Sequence, residues 1–308
     1  MRFSLWALGA LLALGLPAVV LAQNNTTPPV QPDSAPFVAL TQDDLEVMVA
    51  NVQRPNGMVY LNGKLFTICN GDWTIYEIDA KTAATITFVN GARNAHQMYA
   101  EETENGFNIW IPDFDLNRLS VVDHRRDSPK AIVTRGLDGP WGIVPLDEDH
   151  FLVSNLKADN IVKISREGTV EVLLEELRSP TGLAIQDQTV FVANNGSARR
   201  ALEWFSIDED GKPTEPKSLV SGLQNASNLV LGPDGYLYFT YALGSRGVVG
   251  RVWPETCQEE GCTNEQVEIV VYTEMEAPLA GLTISPDLTM FIHTIYRPEI
   301  YQVDLARS

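Results

Sequence analysis

Histidine and cysteine, the side chains best suited to move a proton near neutral pH or to attack a carbonyl, are few in this chain. There are four histidines, His96, His124, His150 and His293, and three cysteines, Cys69, Cys257 and Cys262. His124 and His150 follow Asp123 and Asp149 in turn contexts and read as solvated. His96 and His293 border apolar runs, where an imidazole oriented by a carboxylate such as Asp113 acts as a general base near neutral pH. A histidine that only fills and satisfies its surroundings fits the same positions. Amides and hydroxyls are more plentiful: Asn56, Asn70, Asn155, Thr181, Asn194, Ser227, Asn228 and Tyr241 are the candidate ligand-binding set, together with Trp141. Amide oxygens suit hard cations such as Ca2+, so Asn56, Asn155 and Asn194 are the candidate metal ligands. The alternative is that these side chains partner backbone ends and ordered water. Trp141 either stacks on a ring-shaped ligand or plugs the space itself.

Cys257 and Cys262 bracket the loop CQEEGC. In an exported chain they pair as a local disulfide. Cys69 lies in the apolar stretch LFTIC, without the electropositive neighbours a reactive thiolate needs, and reads as a small core residue.

These residues are far apart in sequence, so an architecture must bring them together. A short pattern recurs six times: Pro or a small residue, a variable residue, usually Gly, then an aliphatic strand start. The copies are RPNGMVY, NAHQMYA, GPWGIVP, SPTGLAI, NASNLVL and PLAGLTI, the second carrying Gln97 where Gly is usual. The variable residues are Asn56, His96, Trp141, Thr181, Ser227 and Ala280, spaced by 40, 45, 40, 46 and 53. That period suits a four-stranded propeller blade. The longest interval contains the CQEEGC insertion. Each copy is followed by alternating, aromatic-rich or β-branched runs, with turn pairs such as Asn62-Gly63. The sixth copy ends at its third run, while DLEVMVA (44–50) precedes the first copy as a spare strand. The expected fold is therefore an all-β, six-bladed propeller spanning 44–308. Its last blade is closed by the N-terminal strand, which would pair near Tyr301 and cover an open edge.

In such a ring the starts of first strands and the ends of second strands share one face. Asn56, His96, Trp141, Thr181, Ser227 and Asn228 then converge with Asn70, Asp113, Asn155, Asn194, Tyr241 and His293 around a polar mouth. The third-to-fourth-strand insertion with Cys257 and Cys262 belongs to the other face.

Upstream, Arg2, an apolar run from Leu5 to Leu21 and the small residue Ala22 read as an export signal over 1–22, giving a secreted protein, extracellular or periplasmic. Residues 23–43 are rich in Asn, Thr, Pro and Gln and read as a flexible linker. No segment after the signal is apolar enough to span a membrane. The net charge of −18 disfavours phosphate backbones, so nucleic acid is not an expected partner. The expected partner of a monomeric chain is a small molecule, a glycan or a protein.

The stretch SPTGLAIQDQTVFVANNG resembles NHL-repeat propellers, and GPDGYLYFTYALGSRGVVGRV resembles a blade of virginiamycin B lyase. RPNGMVYLNGKLF is similar to the superfamily of senescence-marker protein, gluconolactonase and paraoxonase. Together these resemblances span about 44–308. They imply a six-bladed propeller and, for the third family, a Ca2+-dependent lactonase or esterase whose cation is held by Glu, Asn and Asp from separate blades. Asn56 stands in the matching Pro-Asn-Gly context, whereas the Gly-Glu-x-Pro stretch is absent and Thr181 and Ser227 occupy channel positions. Two functions follow: a binding or scaffold propeller with a polar axial pocket, or a metal-dependent hydrolase in which His96 or His293 handles protons.

Overall fold

The computed structural model describes residues 37–127 and 130–307. Twenty-four of its strands form six antiparallel four-stranded sheets, as the repeat spacing requires. Blade 1 is Pro55–Leu61, Lys64–Cys69, Thr74–Asp79 and Thr85–Asn90. Blade 2 is Tyr99–Thr103, Gly106–Asp113, Arg118–Asp123 and Ala131–Arg135. Blade 3 is Pro140–Pro145, His150–Asn155, Asn160–Ser165 and Val170–Leu174. Blade 4 is Pro180–Gln186, Thr189–Asn194, Leu202–Ser206 and Lys217–Ser221. Blade 5 is Leu229–Leu231, Leu237–Leu243, Arg246–Val252 and Glu268–Glu276. Blade 6 is Leu279–Ile284, Thr289–Thr294 and Ile300–Asp304, completed by Glu46–Val49. The closing strand pairs antiparallel, Val47 opposite Tyr301 and Val49 opposite Ile300. The ring is therefore zipped by a contact between the two ends of the described chain, which covers the outer edge of Ile300–Asp304.

The Pro-x-Gly pattern has a physical cause. Pro55, Pro140 and Pro180 begin inner strands, where a missing N–H costs no ladder bond. The register then slips directly after each of them. Such a bulge re-aims the side chain that follows, here the variable residue. The glycine lets the inner strands meet backbone to backbone. A Cβ on Gly142 would lie 2.5 Å from Thr181 O, and one on Gly182 2.6 Å from Leu229 N, both immovable main-chain atoms. Where the pattern has Gln97 instead, the side chain reaches two blades away: its Nε2 donates to Leu183 O at 2.8 Å and its Oε1 accepts from Leu183 N at 3.0 Å. One amide thus spans the tunnel and divides it.

Apolar faces of neighbouring blades fill the space between them. Phe66, Phe88, Ile109 and Ile111 pack between blades 1 and 2. Val49, Met58, Leu65, Cys69, Phe291 and Ile300 pack at the seam of blades 6 and 1. Cys69 is fully buried, and burial pushes its thiol pKa up to about 12, so it is the core residue its sequence context implies. Cys257 and Cys262 form a disulfide. Their insertion, which leaves blade 5 on the face opposite the mouth, differs from a plain loop. It contains the helix Pro254–Glu260, and Cys262–Thr263 runs parallel to Lys217–Ser221 as a fifth strand on blade 4.

The signal at 1–22 and residues 23–36 of the linker lie outside the described residues. Residues 37–43 of that segment are docked rather than free. Leu40 bridges Val271 in the outer strand of blade 5, and the Arg251 guanidinium lies 4.4 Å from the Phe37 ring centroid. Among the described residues no helix is long and apolar enough to cross a membrane.

Candidate functional site

The variable residues of all six blades open toward one face, but two halves of the mouth treat them differently. In blades 4 to 6 they are absorbed into the frame. Thr181 is fully buried, its Oγ1 lying 3.1 Å from both Ala193 O and Ala226 O. Ser227 Oγ meets Thr240 Oγ1 at 2.8 Å. Asn228 Nδ2 donates to Leu279 O at 2.9 Å and to Thr240 Oγ1 at 3.2 Å. These bonds tie blade 4 to blade 5 and blade 5 to blade 6. Tyr241, expected at the mouth, instead packs against Phe239 in the core shared with blade 4, where burial pushes its hydroxyl up to about 12.

The proposed metal trio is likewise not assembled. Asn155 Oδ1 accepts from Asp138 N at 3.2 Å while its Nδ2 donates to Asn160. Asn194 Oδ1 accepts from Arg178 N at 3.2 Å, and its Nδ2 donates to Arg200 O and to Glu203 Oε2 at 2.8 Å. Each amide locks the end of its own second strand to the chain entering and leaving that blade. Only Asn56 keeps an oxygen without a partner. A cation held by Glu, Asn and Asp from separate blades, as the lactonase resemblance implies, does not fit this lining. Among the described residues no group of three His, Cys, Asp or Glu side chains could hold a metal ion.

His293 is wholly enclosed, against the backbone of Gly281, with no well-formed hydrogen bond at either ring nitrogen and the main chain of Asn56 and Thr294 beside it. Burial holds its pKa down at about 4. Asp113 serves neither histidine. Its Oδ1 accepts from Leu116 N at 3.1 Å and its Oδ2 lies 3.5 Å from Arg118 Nη2, in a pocket whose burial raises the carboxyl pKa.

Blades 1 to 3 carry the open half. His96 and Trp141 stack face to face, 3.4 Å apart and 4° from parallel, both half-buried. Phe114 meets each of them edge-on, at 5.2 Å and 5.8 Å, and Lys157 Nζ lies 4.5 Å from the Phe114 centroid. The Trp141 indole N–H is buried without an acceptor. Protein packed around His96 drives its pKa down to about 3, although part of its surface faces the mouth. The ring is therefore a neutral, flat platform at neutral pH. Beside it, Asn56 and Asn70 both donate to Asn94 Oδ1, at 2.5 Å and 3.0 Å, and Asn94 donates to Asp115 at 3.1 Å.

Sequence reasoning missed Asn94, Phe114 and Lys157. Each lies beside a position the repeat does single out: Asn94 is the first residue of the second copy, two before His96, Phe114 follows Asp113, and Lys157 lies two beyond Asn155. Weighing the first residue of each copy, and the two residues beyond each second-strand end, would have found them.

Two cavities lie elsewhere. One of about 780 Å3 opens on the opposite face at the seam of blades 6 and 1, among Tyr60, Phe291 and several carboxylates whose oxygens mostly cap local turns. One of about 230 Å3 is the apolar lower tunnel beneath Gln97, lined by Met58, Val144, Leu183 and Leu229. The chemistry-bearing side chains belong to neither.

No protein-family model and no curated protein matches the chain. Solved structures do. A protein described as a putative gluconolactonase superposes with a TM-score of 0.65 at 12% identity, over 85% of this chain and 91% of that one. A streptogramin B lyase superposes at 0.59 and 15% identity, over 84% and 96%. Regucalcin from Agrobacterium tumefaciens, described as calcium-binding, gives 0.63 and 11% identity, over 87% and 95%. The chain shares their six-bladed propeller fold. At these identities the likeness speaks for the fold alone, and the site must be argued from its own residues.

Proposed function

We propose that this protein is a secreted binding propeller that takes a hydroxylated ring ligand, of the glycan class, on the mouth of blades 1 to 3. The observation that carries this reading is the half-buried His96–Trp141 stack beside the amides of Asn70 and Asn94 and the exposed carboxylate of Asp115. Aromatic faces favour the apolar face of a ring, while a few fixed polar groups select its hydroxyls. General-base chemistry is poorly served here, since a histidine with a pKa near 3 is a weak base. The test is calorimetric titration of a panel of mono- and oligosaccharides. Binding that Trp141→Ala removes supports the reading; a panel without binding, at protein concentrations above about 0.1 mM, discards it.

A second reading, a divalent-metal-dependent lactonase or esterase, draws support from the gluconolactonase and regucalcin structures that share this fold. The residue that favours it is Asn56, in its Pro-Asn-Gly context with a free amide oxygen. Chelator-sensitive turnover of lactones or aryl esters would move the assignment to it.

A further inference from the structure

One turn on the mouth face breaks a rule that its neighbours keep. In blades 1, 2 and 3 the residue just before the third strand is Trp73, Asn117 and Asp159, and all three have a left-handed backbone, with φ of 59°, 49° and 53°. Asparagine and aspartate tolerate this region, whereas a bulky side chain is strained there. The two smaller residues also put the position to use. Asn117 Oδ1 accepts from Gly139 N at 2.9 Å and Asp159 Oδ1 from Ser179 N at 2.6 Å, each pinning its turn to the segment that enters the next blade. An indole has no acceptor and cannot make that bond.

Trp73 is not recovered by packing either. It is 49% exposed, the only exposed tryptophan among the described residues. Its one ring contact is with Arg93, whose guanidinium lies 4.6 Å from the indole centroid, and an exposed cation–π contact is worth no more than the strain it accompanies. A residue that breaks the local rule without a compensating gain in packing is the kind expected at a functional site. Its surroundings lead to the mouth. Arg93 adjoins Asn94, which accepts from Asn70 at 3.0 Å, and His96 follows Arg93 by three residues, at most about 11 Å of chain.

We propose that Trp73, with Arg93, is a second ring seat on the rim of blade 1, and that the ligand of the mouth is an oligosaccharide long enough to reach both seats. This rests on the glycan reading given above. One sugar lies on the His96–Trp141 stack, the amides of Asn70 and Asn94 meet the hydroxyls between, and a later sugar of the chain lays its apolar face on the Trp73 indole. Arg93 supplies N–H donors beside that ring.

The test is calorimetric titration with glucose, mannose and galactose oligosaccharides of one to six units. In a series that binds, affinity is expected to rise at least about fivefold from the single sugar to the longest chain, and Trp73→Asn is expected to abolish that rise. Asparagine suits the left-handed turn, so this variant keeps or raises the thermal midpoint. A lower midpoint would mark Trp73 as structural and overturn the second seat. Equal affinity at every length, or a rise that Trp73→Asn leaves intact, overturns it too and leaves the glycan reading standing. No binding in any series overturns both.

Discussion

Blades 1 to 3 and blades 4 to 6 carry the same repeat and use its variable position in opposite ways. Thr181, Ser227 and Asn228 spend their polar atoms on carbonyls and hydroxyls of the next blade, so they are joints of the ring. Asn56 and Trp141 leave polar atoms unspent, and the stacked pair of His96 and Trp141 stays half-exposed at the mouth. A polar residue at a propeller mouth is thus not evidence of a binding site until its hydrogen bonds are accounted for. At the variable positions the unfinished accounts fall in blades 1 to 3, the half that can take a ligand; His293 in blade 6 is also short of partners but is sealed from the mouth.

The comparison can be broken most severely at the ring itself. In Gly182→Val the new side chain meets main-chain atoms of blade 5 within 2.6 Å, and the expected outcome is loss of a cooperative thermal transition. A folded variant would show that the inner strands are not packed as described.

Next in size is acid. His293 titrates at about 4 when folded against a reference of 6.5, so its stabilising effect is complete above pH 6.5 and is lost as the pH falls toward 4. The shift corresponds to roughly 3 kcal/mol, most of it read as a drop in denaturant midpoint between pH 7 and pH 4.5 that His293→Gln makes shallower, His96 supplying the remainder of the slope.

Thr181→Val and Thr240→Val remove joints in the closed half. Each is expected to cost about 1–3 kcal/mol by leaving buried acceptors unpaired, with ligand affinity unchanged. The smallest effect on stability belongs to the open half. Trp141→Ala and Lys157→Ala should each cost about 1 kcal/mol or less, while Trp141→Ala abolishes ligand binding. If the threonine variants lost binding and Trp141→Ala kept it, the two halves would have to be exchanged.

Much of this was legible in the sequence. Six recurrences at blade spacing gave the ring, and the orphan run 44–50 gave its closure, confirmed by Val47 opposite Tyr301. The pair Cys257 and Cys262 gave the disulfide. Side-chain accounts were not legible, for a physical reason. Asn155 and Asn56 look alike in sequence, and what separates them is Asp138 N within reach of one and no partner for the oxygen of the other. Tyr241 was misplaced because strand-end position does not say which face of the sheet a side chain takes; it turned into the core between blades. The path of the insertion, helix first and then a parallel strand on the neighbouring blade, depended on Lys217–Ser221 offering an outer edge.

The most direct measurement is the indole N–H spectrum of the 15N-labelled protein during titration with a saccharide from the panel. The Trp141 signal, identified by its loss in Trp141→Phe, should shift and saturate while those of Trp110 and Trp253, buried away from the mouth, stay in place. Saturable saccharide binding that leaves the Trp141 signal unmoved would contradict a ligand seat on blades 1 to 3.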